Sequence, residues 1–316
     1  SYTSYFSMTE DSFDAEGQLT AAVNYVTSDA GHTVYTVTGH GEAELSQSIQ
    51  EAIQRSNLAL SSVSTALTEA LPEDCDLLLV NGPETDLSAG ELTLLQDYLA
   101  GGGQLVFLAG TTLDPLPNWE ALLESRGVQL AEGYIADLGS YYPQFGSPFA
   151  ICGVLATGTD VAAGLDSDAL TYFGNARGFR SLASGEDSAW TVTAFLSTTS
   201  QALAVTEDGS QASGTYLLGA VSLGDDGGRL TVLGSTSFLD ETILTQNDSL
   251  VNQTVFLNAL TAGFDDVDNL SISPKSLAVT YNTIQNPGLW STAYIAVLPI
   301  GILLCGFLFW LKRRKL

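Results

Sequence analysis

The sequence predicts an α/β domain built on a parallel sheet, followed by one membrane-spanning helix. Apolar strands of the buried type, such as DLLLV at 76–80, alternate with segments of helical periodicity, and the connections between them are short. The segment 293–311 carries no charge and is directly followed by four cations at 312–315. An uncharged run of about 20 residues is long enough to cross the hydrocarbon core of a bilayer.

The first half of the chain begins with a strand and a helix. Residues 34–37 are β-branched or aromatic and predict a strand, which Gly39 and Gly41 end. A helix is predicted over 44–56, because Leu45, Ile49 and Ile53 recur at helical spacing. Three apolar runs, at 58–64, 76–83 and 104–112, predict the next strands.

Local signals mark the ends of the next helix. Ser88 is placed to cap its N-terminus, Glu91 stands at the capping-box position and Gly101 ends it. One more helix is predicted at 118–127. Strands that alternate with helices in this way favour a parallel sheet covered on both faces.

After about residue 133 the pattern becomes that of an antiparallel sheet. The runs AWTVTAFLS, QALAVTED and TYLLGAVSLG predict successive strands, and GDDGG at 224–228 predicts a hairpin turn. Residues 229–241 begin as another buried strand and end as a polar loop. A helix over 249–262 closes the domain, with apolar residues along much of its length.

These elements divide the chain into five segments. They are an N-terminal segment (1–27) with a helix over 13–26, the α/β domain (28–264), a linker (265–288), the spanning helix (289–311) and a basic tail (312–316). Basic residues beside a span stay on the cytoplasmic side, so the domain is expected to be extracytoplasmic and the C-terminus cytoplasmic, in the cell membrane. No signal pattern follows Ser1, so a signal or a second span is expected upstream.

Charge and cysteine usage narrow the classes of function. The chain has 36 acidic and 10 basic residues, a net charge of −26, which disfavours binding of nucleic acid. A solvated acidic surface explains this balance, and a basic partner is the alternative. Cysteine occurs only as Cys75, Cys152 and Cys305, with no CxxC and no metal-type spacing. A Cys75–Cys152 disulfide is possible, although nothing local favours it.

The first candidate site is the loop Gly39, His40, Gly41 and Glu42. Loops at the carboxyl ends of parallel strands bind ligands in open α/β sheets. His40 and Glu42 are suited to acid–base chemistry or to metal binding. The sequence has no HExxH motif and no further histidines that would complete a metal site. A structural loop is the other interpretation. Neither metal nor cofactor is expected.

Hydroxyl groups after two strands are the other candidates. Thr111 lies near the end of the run 104–112, and Ser235 and Ser237 follow the buried strand that begins at 229. All three are candidate nucleophiles, Thr111 and Ser235 are also candidate ligand contacts, and no GxSxG elbow is present. Hydroxyls at such positions also commonly cap the next element. The glycine run at 101–103 ends a helix, so it is unsuited to phosphate, and no P-loop is present.

Several segments together resemble a known family. They are VYTVTGHGE, the run from DLLLVNGP to QLVFLAG, RLTVLGSTSFLDE with VFLNAL, ISPKSL, and the final LPIGILLCGFLFWLKRRK. The chain resembles the GldG-like auxiliary subunits of bacterial ABC transporters, known from gliding motility and from many transport operons. The resemblance implies a class I glutamine-amidotransferase-like, flavodoxin-like domain that lacks the catalytic cysteine and histidine. It also implies a further transmembrane helix upstream.

The resemblance leads to a functional expectation. The protein is expected to be a non-enzymatic auxiliary subunit that contacts an ABC permease and, through it, a cytoplasmic ATPase. Its domain would bind a substrate or protein partner outside the membrane, and Gly301 and Gly306 would pack the spanning helix against other helices. Two alternatives stay open. One is a tethered hydrolase or amidotransferase-like enzyme that uses His40 and Glu42, and the other is a glycan-binding module that uses the aromatic stretch 134–149.

Overall fold

The computed structural model describes residues 12–13, 31–182, 189–247, 249–264, 275–276 and 293–314. By internal contacts the chain divides into two units, residues 14–273 and residues 1–13 with 274–316. The larger unit is the α/β domain. In the smaller unit, two short strands pair with each other and a long apolar helix lies near the C-terminus.

The described strands and helices are as follows. The strands are β1 (Ser12–Phe13), β2 (His32–Thr38), β3 (Leu58–Ser64), β4 (Leu77–Asn81), β5 (Gln104–Leu108), β6 (Val128–Leu130), β7 (Tyr134–Asp137), β8 (Ala150–Ile151), β9 (Val154–Leu155), β10 (Phe173–Gly174), β11 (Phe179–Ser181), β12 (Trp190–Ser197), β13 (Ala202–Val205), β14 (Gln211–Ser213), β15 (Leu217–Gly224), β16 (Arg229–Leu233) and β17 (Lys275–Ser276). The helices are α1 (Gln47–Arg55), α2 (Ala89–Ala100), α3 (Pro117–Glu124), α4 (Glu241–Gln246), α5 (Asn252–Thr261) and α6 (Leu298–Arg314).

The central sheet is mixed and mostly parallel along one side. Its order is β3-β2-β4-β5-β16-β15-β11-β6, and β12 pairs with β15 outside this path. The first five strands are parallel to one another, whereas β15 is antiparallel to β16, and β15, β11 and β6 are joined by antiparallel pairing. Because β2 lies between β3 and β4, the chain reverses its winding direction there, and loops meet at the carboxyl ends of β2 and β4.

Alternation along the parallel strands divides the core between the two faces of the sheet. In β4, the side chains of Leu77 and Leu79 pack on one face, together with α1 and α5. Leu78 and Val80 pack on the other face with α2 and α3. All four side chains are fully buried. A strand buried on both faces explains why this segment is a continuous apolar run in the sequence.

Local capping sets the helix boundaries. Ser88 and Glu91 form the predicted capping box of α2, and Gly101 follows its last residue. The helix predicted at 118–127 begins instead at Pro117 and ends at Glu124. Its exposed amides are capped from a distance, because the Asp86 carboxylate accepts from the backbone N–H groups of residues 118 and 119 at 3.0–3.1 Å. Such a cap lies outside the reach of short sequence motifs.

The second half of the domain agrees with the predicted strands and turn. The segments predicted around 189–197, 201–208 and 215–224 contain β12, β13 and β15. The turn at 224–228 joins β15 to β16, where Gly224 N donates to Gly228 O at 2.9 Å. The closing helix is shorter than predicted, since α5 begins at Asn252, and the short helix α4 precedes it.

Several predictions fall wholly or partly outside the described residues. The predicted helix at 13–26 is wrong at its first position, because Phe13 lies in β1, which pairs antiparallel with β17. Its other residues lie outside the described part of the chain. Of the predicted linker at 265–288, only the two residues of β17 are described. Residues 289–292 of the predicted span and residues 315–316 of the predicted tail also lie outside the described part.

One described helix is long and apolar enough to cross a membrane. It covers residues 294–314 as a π-helical turn followed by α6, with a mean hydropathy of 2.3. Its apolar side chains are exposed; Leu303, for example, is 73% exposed. The helix continues three residues past the predicted end at Leu311, so Lys312, Arg313 and Arg314 form its last turn. This arrangement is consistent with a membrane anchor.

Candidate functional site

The loop after β2 lies where the winding of the sheet reverses. Gly39 and Gly41 have φ angles of 121° and 80°, which side chains strongly disfavour, so glycine is needed at both positions. The carbonyl oxygen of His40 accepts from the N–H groups of Glu84 and Thr85 at 2.8 and 2.9 Å. The loop that follows β4 therefore holds the loop that follows β2.

The His40 side chain lies between two carboxylates. Its Nδ1 is 3.2 Å from Glu42 Oε1, and its Nε2 is 3.0 Å from Glu91 Oε1. The His40 side chain is 4% exposed, and the two carboxylates are nearly as buried. A carboxylate can only accept, so the arrangement favours an imidazolium that donates from both nitrogens. We call Glu42, His40 and Glu91 the Glu–His–Glu cluster.

Glu91 and His40 together connect this cluster to three other elements. Its Oε1 accepts from the hydroxyl of Thr65 at 2.7 Å, and its Oε2 accepts from the backbone N–H of Ser88 at 2.9 Å. The imidazole of His40 also meets the Trp119 ring edge to face, with centroids 5.8 Å apart. The cluster thus joins the loop after β2 to the turn after β3, to α2 and to α3.

The charges of the cluster stabilise one another. The hydrogen bond to Glu42 raises the pKa of His40, and this effect exceeds the opposing effect of burial. Burial alone would raise the pKa of Glu42, but the hydrogen bonds from His40 outweigh it and the pKa is lowered. The pKa of Glu91 is lowered in the same way, against burial, by its bonds to Ser88 and Thr65. All three groups are therefore held in their charged forms.

This geometry limits the chemistry available to His40. Both of its ring nitrogens already have acceptors, and burial separates the ring from solvent. Glu42 is occupied as well, because its Oε2 accepts from the backbone N–H of His40 at 2.8 Å. The arrangement is that of a stabilising loop anchor. What it presents to solvent is the backbone of Gly39 and Gly41, beside the exposed Glu84 and Thr85.

The two hydroxyl candidates lie at the same end of the sheet, after the adjacent strands β5 and β16, and have different surroundings. Ser235 is 1% exposed, donates to Gly174 O at 2.9 Å and accepts from Ser237 N, so it caps the turn Thr236–Leu239. Thr111 is exposed, and its carbonyl oxygen accepts from the Tyr134 hydroxyl. Among the described residues, neither hydroxyl is hydrogen-bonded to His40. Ser235 therefore matches the capping interpretation.

The cysteines are free thiols. Cys75 and Cys152 are half-buried and unpaired, and Cys305 is exposed on the apolar helix. Burial raises the pKa of Cys75 to about 11, so its thiolate is scarce at neutral pH. Within the described ranges, no three metal-ligating side chains gather in one place.

The aromatic stretch at 134–149 packs largely on its own domain. The rings of Tyr142, Phe145 and Tyr172 form a cluster with centroids 5.3–6.2 Å apart. Tyr142 is fixed by a hydrogen bond from its hydroxyl to Thr171 O at 2.8 Å. Tyr141 and Phe145 are 40% and 43% exposed, so part of the stretch also reaches the surface.

Comparison with known proteins gives a likeness of fold. No family model matches the chain, and no curated protein matches it. Among solved structures, the mmIFT52 N-terminal domain has a TM-score of 0.57 at 19% identity, over 74% of this chain and 99% of that domain. A putative ThuA-like protein from Bacteroides uniformis has a TM-score of 0.46 at 11% identity, over 75% and 92% of the two chains. At such identities the likeness to the mmIFT52 domain shows the α/β fold alone.

Sequence reasoning found His40 and Glu42 but missed three of the residues around them. Glu91 was assigned only a capping role, while Thr65 and Trp119 carried no signal that links them to the loop. All three are distant from His40 along the chain, and only the sheet order brings them together. Arg177, a buried cation near the ends of β5 and β16, also had no distinguishing sequence pattern.

Proposed function

We propose that the protein is a non-enzymatic, membrane-anchored auxiliary subunit of an ABC-type transport complex, of the GldG-like kind. Its α/β domain, flavodoxin-like and related to class I glutamine amidotransferases, binds a substrate or protein partner outside the membrane. The helix α6 packs beside the permease, through which the subunit is coupled to the cytoplasmic ATPase.

The buried contacts of the loop after β2 are the main support for a binding role. His40 has both ring nitrogens bonded within the buried Glu–His–Glu cluster, so the loop is suited to shape a surface rather than to transfer protons. Ser235 is likewise occupied as a cap. These contacts favour a binding role over the hydrolase alternative.

The apolar helix and the sequence resemblance supply the rest of the proposal. A 21-residue helix that is strongly apolar before a last turn of three cations suits a span that ends at the cytoplasmic surface. The GldG-like pattern connects such a helix to an ABC permease. The exposed backbone of Gly39 and Gly41, with Glu84 and Thr111, is the surface that we assign to the extracytoplasmic partner.

Co-purification tests the proposal. The full chain, with an affinity tag, is extracted from its source organism in a mild detergent, and the bound proteins are identified by mass spectrometry. We expect a multi-span permease and an ATPase in near-stoichiometric amounts. A tagged single-span protein of unrelated sequence serves as the control for detergent carry-over. Repeated recovery of the chain without either subunit would refute the proposal.

A further inference from the structure

A groove on the α/β domain is lined by none of the residues of the Glu–His–Glu cluster. It has a volume of about 760 Å³ and is bordered by α3, the turn between β6 and β7, the β13–β14 hairpin and the segment from Arg177 to Arg180. Cavities of about 300–1,000 Å³ are typical of small-molecule sites. Two guanidinium groups and five carboxylates line it.

Arg177 is a buried cation in the groove wall. It is 8% exposed, and its Nη1 and Nη2 donate to the carbonyl oxygens of Thr112 and Ala131 at 2.8 and 3.1 Å. Its Nε is buried without a hydrogen-bond partner, and Arg177 forms no ion pair with a described carboxylate. Burial lowers its pKa. A buried charge with no carboxylate bonded directly to it is costly, and such groups mark candidate ligand sites.

Arg180 lies in the same groove and is positioned by an aromatic ring. Its guanidinium lies 5.1 Å from the centroid of the Tyr216 ring, and its Nη2 donates to the Tyr216 hydroxyl at 3.1 Å. That hydroxyl is itself fixed, because it donates to Ala212 O at 2.7 Å. The planar group is therefore held in place, and its other donors have no hydrogen-bond acceptor among the described residues, an arrangement that suits recognition of a carboxylate.

Carboxylates on the groove walls determine what else the ligand must carry. Glu120, Glu132 and Glu207 make no side-chain hydrogen bond or ion pair with another described residue. Glu120 and Glu132 lie close enough to Arg177 to act on its charge. With five carboxylates against two guanidinium groups, the groove repels a polyanion or a lone phosphate. A ligand that also carries a positive group satisfies both kinds of side chain.

We propose that this groove binds a zwitterionic ligand of the amino-acid or short-peptide class. Its carboxylate meets Arg177 and Arg180, and its ammonium group lies among the carboxylates of Glu120 and Glu132. The site is independent of the proposed role in transport, because it uses neither the loop after β2 nor α6. The groove indicates a class of ligand, whereas the buried Glu–His–Glu cluster indicates none.

Calorimetric titration tests the site. The full chain in detergent micelles is titrated with tri-alanine, with tri-alanine amidated at its C-terminus, and with tri-alanine acetylated at its N-terminus. We expect the free tripeptide to bind and each blocked form to bind at least about tenfold more weakly. Absence of binding by the free tripeptide, or equal binding of all three forms, would overturn the proposal.

Variants separate the two arginines from a general effect of charge. Arg180→Gln and Glu132→Gln change exposed groups, and each is expected to weaken tri-alanine binding about tenfold. Arg55→Gln is the matched control, because Arg55 is a half-buried arginine on α1 that does not line the groove, and it should leave binding unchanged. Arg177→Gln removes a buried group, so its melting temperature is measured first. If the domain is folded, this variant is also expected to weaken tri-alanine binding. Unchanged affinity in both Arg180→Gln and Glu132→Gln would contradict the assignment.

Discussion

A histidine held between two buried carboxylates makes the stability of the domain depend on pH. His40 has its pKa raised above 6.5, so its contribution is fully present below pH 6.5 and is lost as pH rises through the folded-state pKa. Glu42 and Glu91 have pKa values lowered below 4.5, so their contribution is present above pH 4.5 and is lost as pH falls through the lower folded-state values. Between these limits, all three charges stabilise the fold.

Replacing His40 tests this account. His40→Asn leaves two buried carboxylates without their shared cation, and we expect a loss of about 3–5 kcal/mol in the free energy of unfolding near pH 6. The melting temperature of the wild type should fall as pH rises above 6.5, and that slope should be smaller in the variant.

The other histidine provides the control. His32 is stacked on Phe264 and is less buried than His40, so His32→Asn should retain the alkaline slope of the wild type. If His40→Asn melts with the wild-type profile throughout, the cluster does not contribute the stability assigned to it.

At this scale, the sequence predicts residues that act locally and misses those that act across the fold. The capping role of Glu91 follows from its position three residues after Ser88, which a motif detects. Its contact with His40 depends on β2, β3 and β4 lying side by side, and no local pattern encodes that order. The same limit applies to Ser235. The sequence does not distinguish a nucleophile from a cap at this position, because the contacts of its hydroxyl depend on the fold.

Among the secondary-structure elements, those with strong periodicity or caps were predicted well. β4 and β5 are continuous apolar runs and lie within the predicted strands, although β5 ends at Leu108, four residues before the predicted end. The helix α2 has both ends marked by local signals, and both agree with the prediction. The start of α3 depends on the distant carboxylate of Asp86, and the two-residue strand at Ser12–Phe13 depends on its pairing with β17. Tertiary contacts determine both, so the sequence misplaced them.

The glycines of α6 lie on different sides of the helix. Gly301 and Gly306 are five residues apart, which places them about 140° apart on a helix of 3.6 residues per turn. Apart from the adjacent backbone of the helix itself, no described atom lies within 4 Å of the place where a Cβ would stand at either glycine. Each glycine therefore offers a separate close-contact surface, and the two would serve different neighbouring helices.

Leucine substitutions test these two contact surfaces. Gly301→Leu and Gly306→Leu each add bulk where close packing is proposed, and we expect each to reduce permease recovery in the co-purification experiment while membrane insertion is retained. The double variant should lose the permease almost completely. Ile302→Leu keeps the side-chain volume and is the control. Full permease recovery with the double variant would show that neither glycine packs against it.

At the scale of the whole molecule, charge is the dominant feature. A net charge of −26 gives strong self-repulsion in the folded state, which salt screens. We therefore expect the melting temperature in a non-ionic detergent to rise as sodium chloride is increased toward about 0.5 M. The buried Glu–His–Glu cluster is screened less than the surface, so it should not reverse the trend. A melting temperature that falls with salt would contradict this expectation.

Membrane orientation is a second prediction at this scale. With its cations at the last turn of α6, the chain should place its C-terminus in the cytoplasm. In right-side-out membrane vesicles, added protease should degrade the α/β domain and leave a C-terminal epitope tag intact until detergent is added. A tag that is cleaved in sealed vesicles would indicate the opposite orientation, and a cytoplasmic ATPase marker provides the control for sealing.

The double use of Glu91 has a consequence for hydrogen exchange. One carboxylate accepts from the backbone N–H of Ser88 at the start of α2 and also contacts His40 in the loop after β2. Displacing that loop would release the carboxylate and open the first turn of the helix with it. The amide of Glu91 and the amide of His40, far apart in sequence, should then exchange with deuterium at matching rates, as a single cooperative unit.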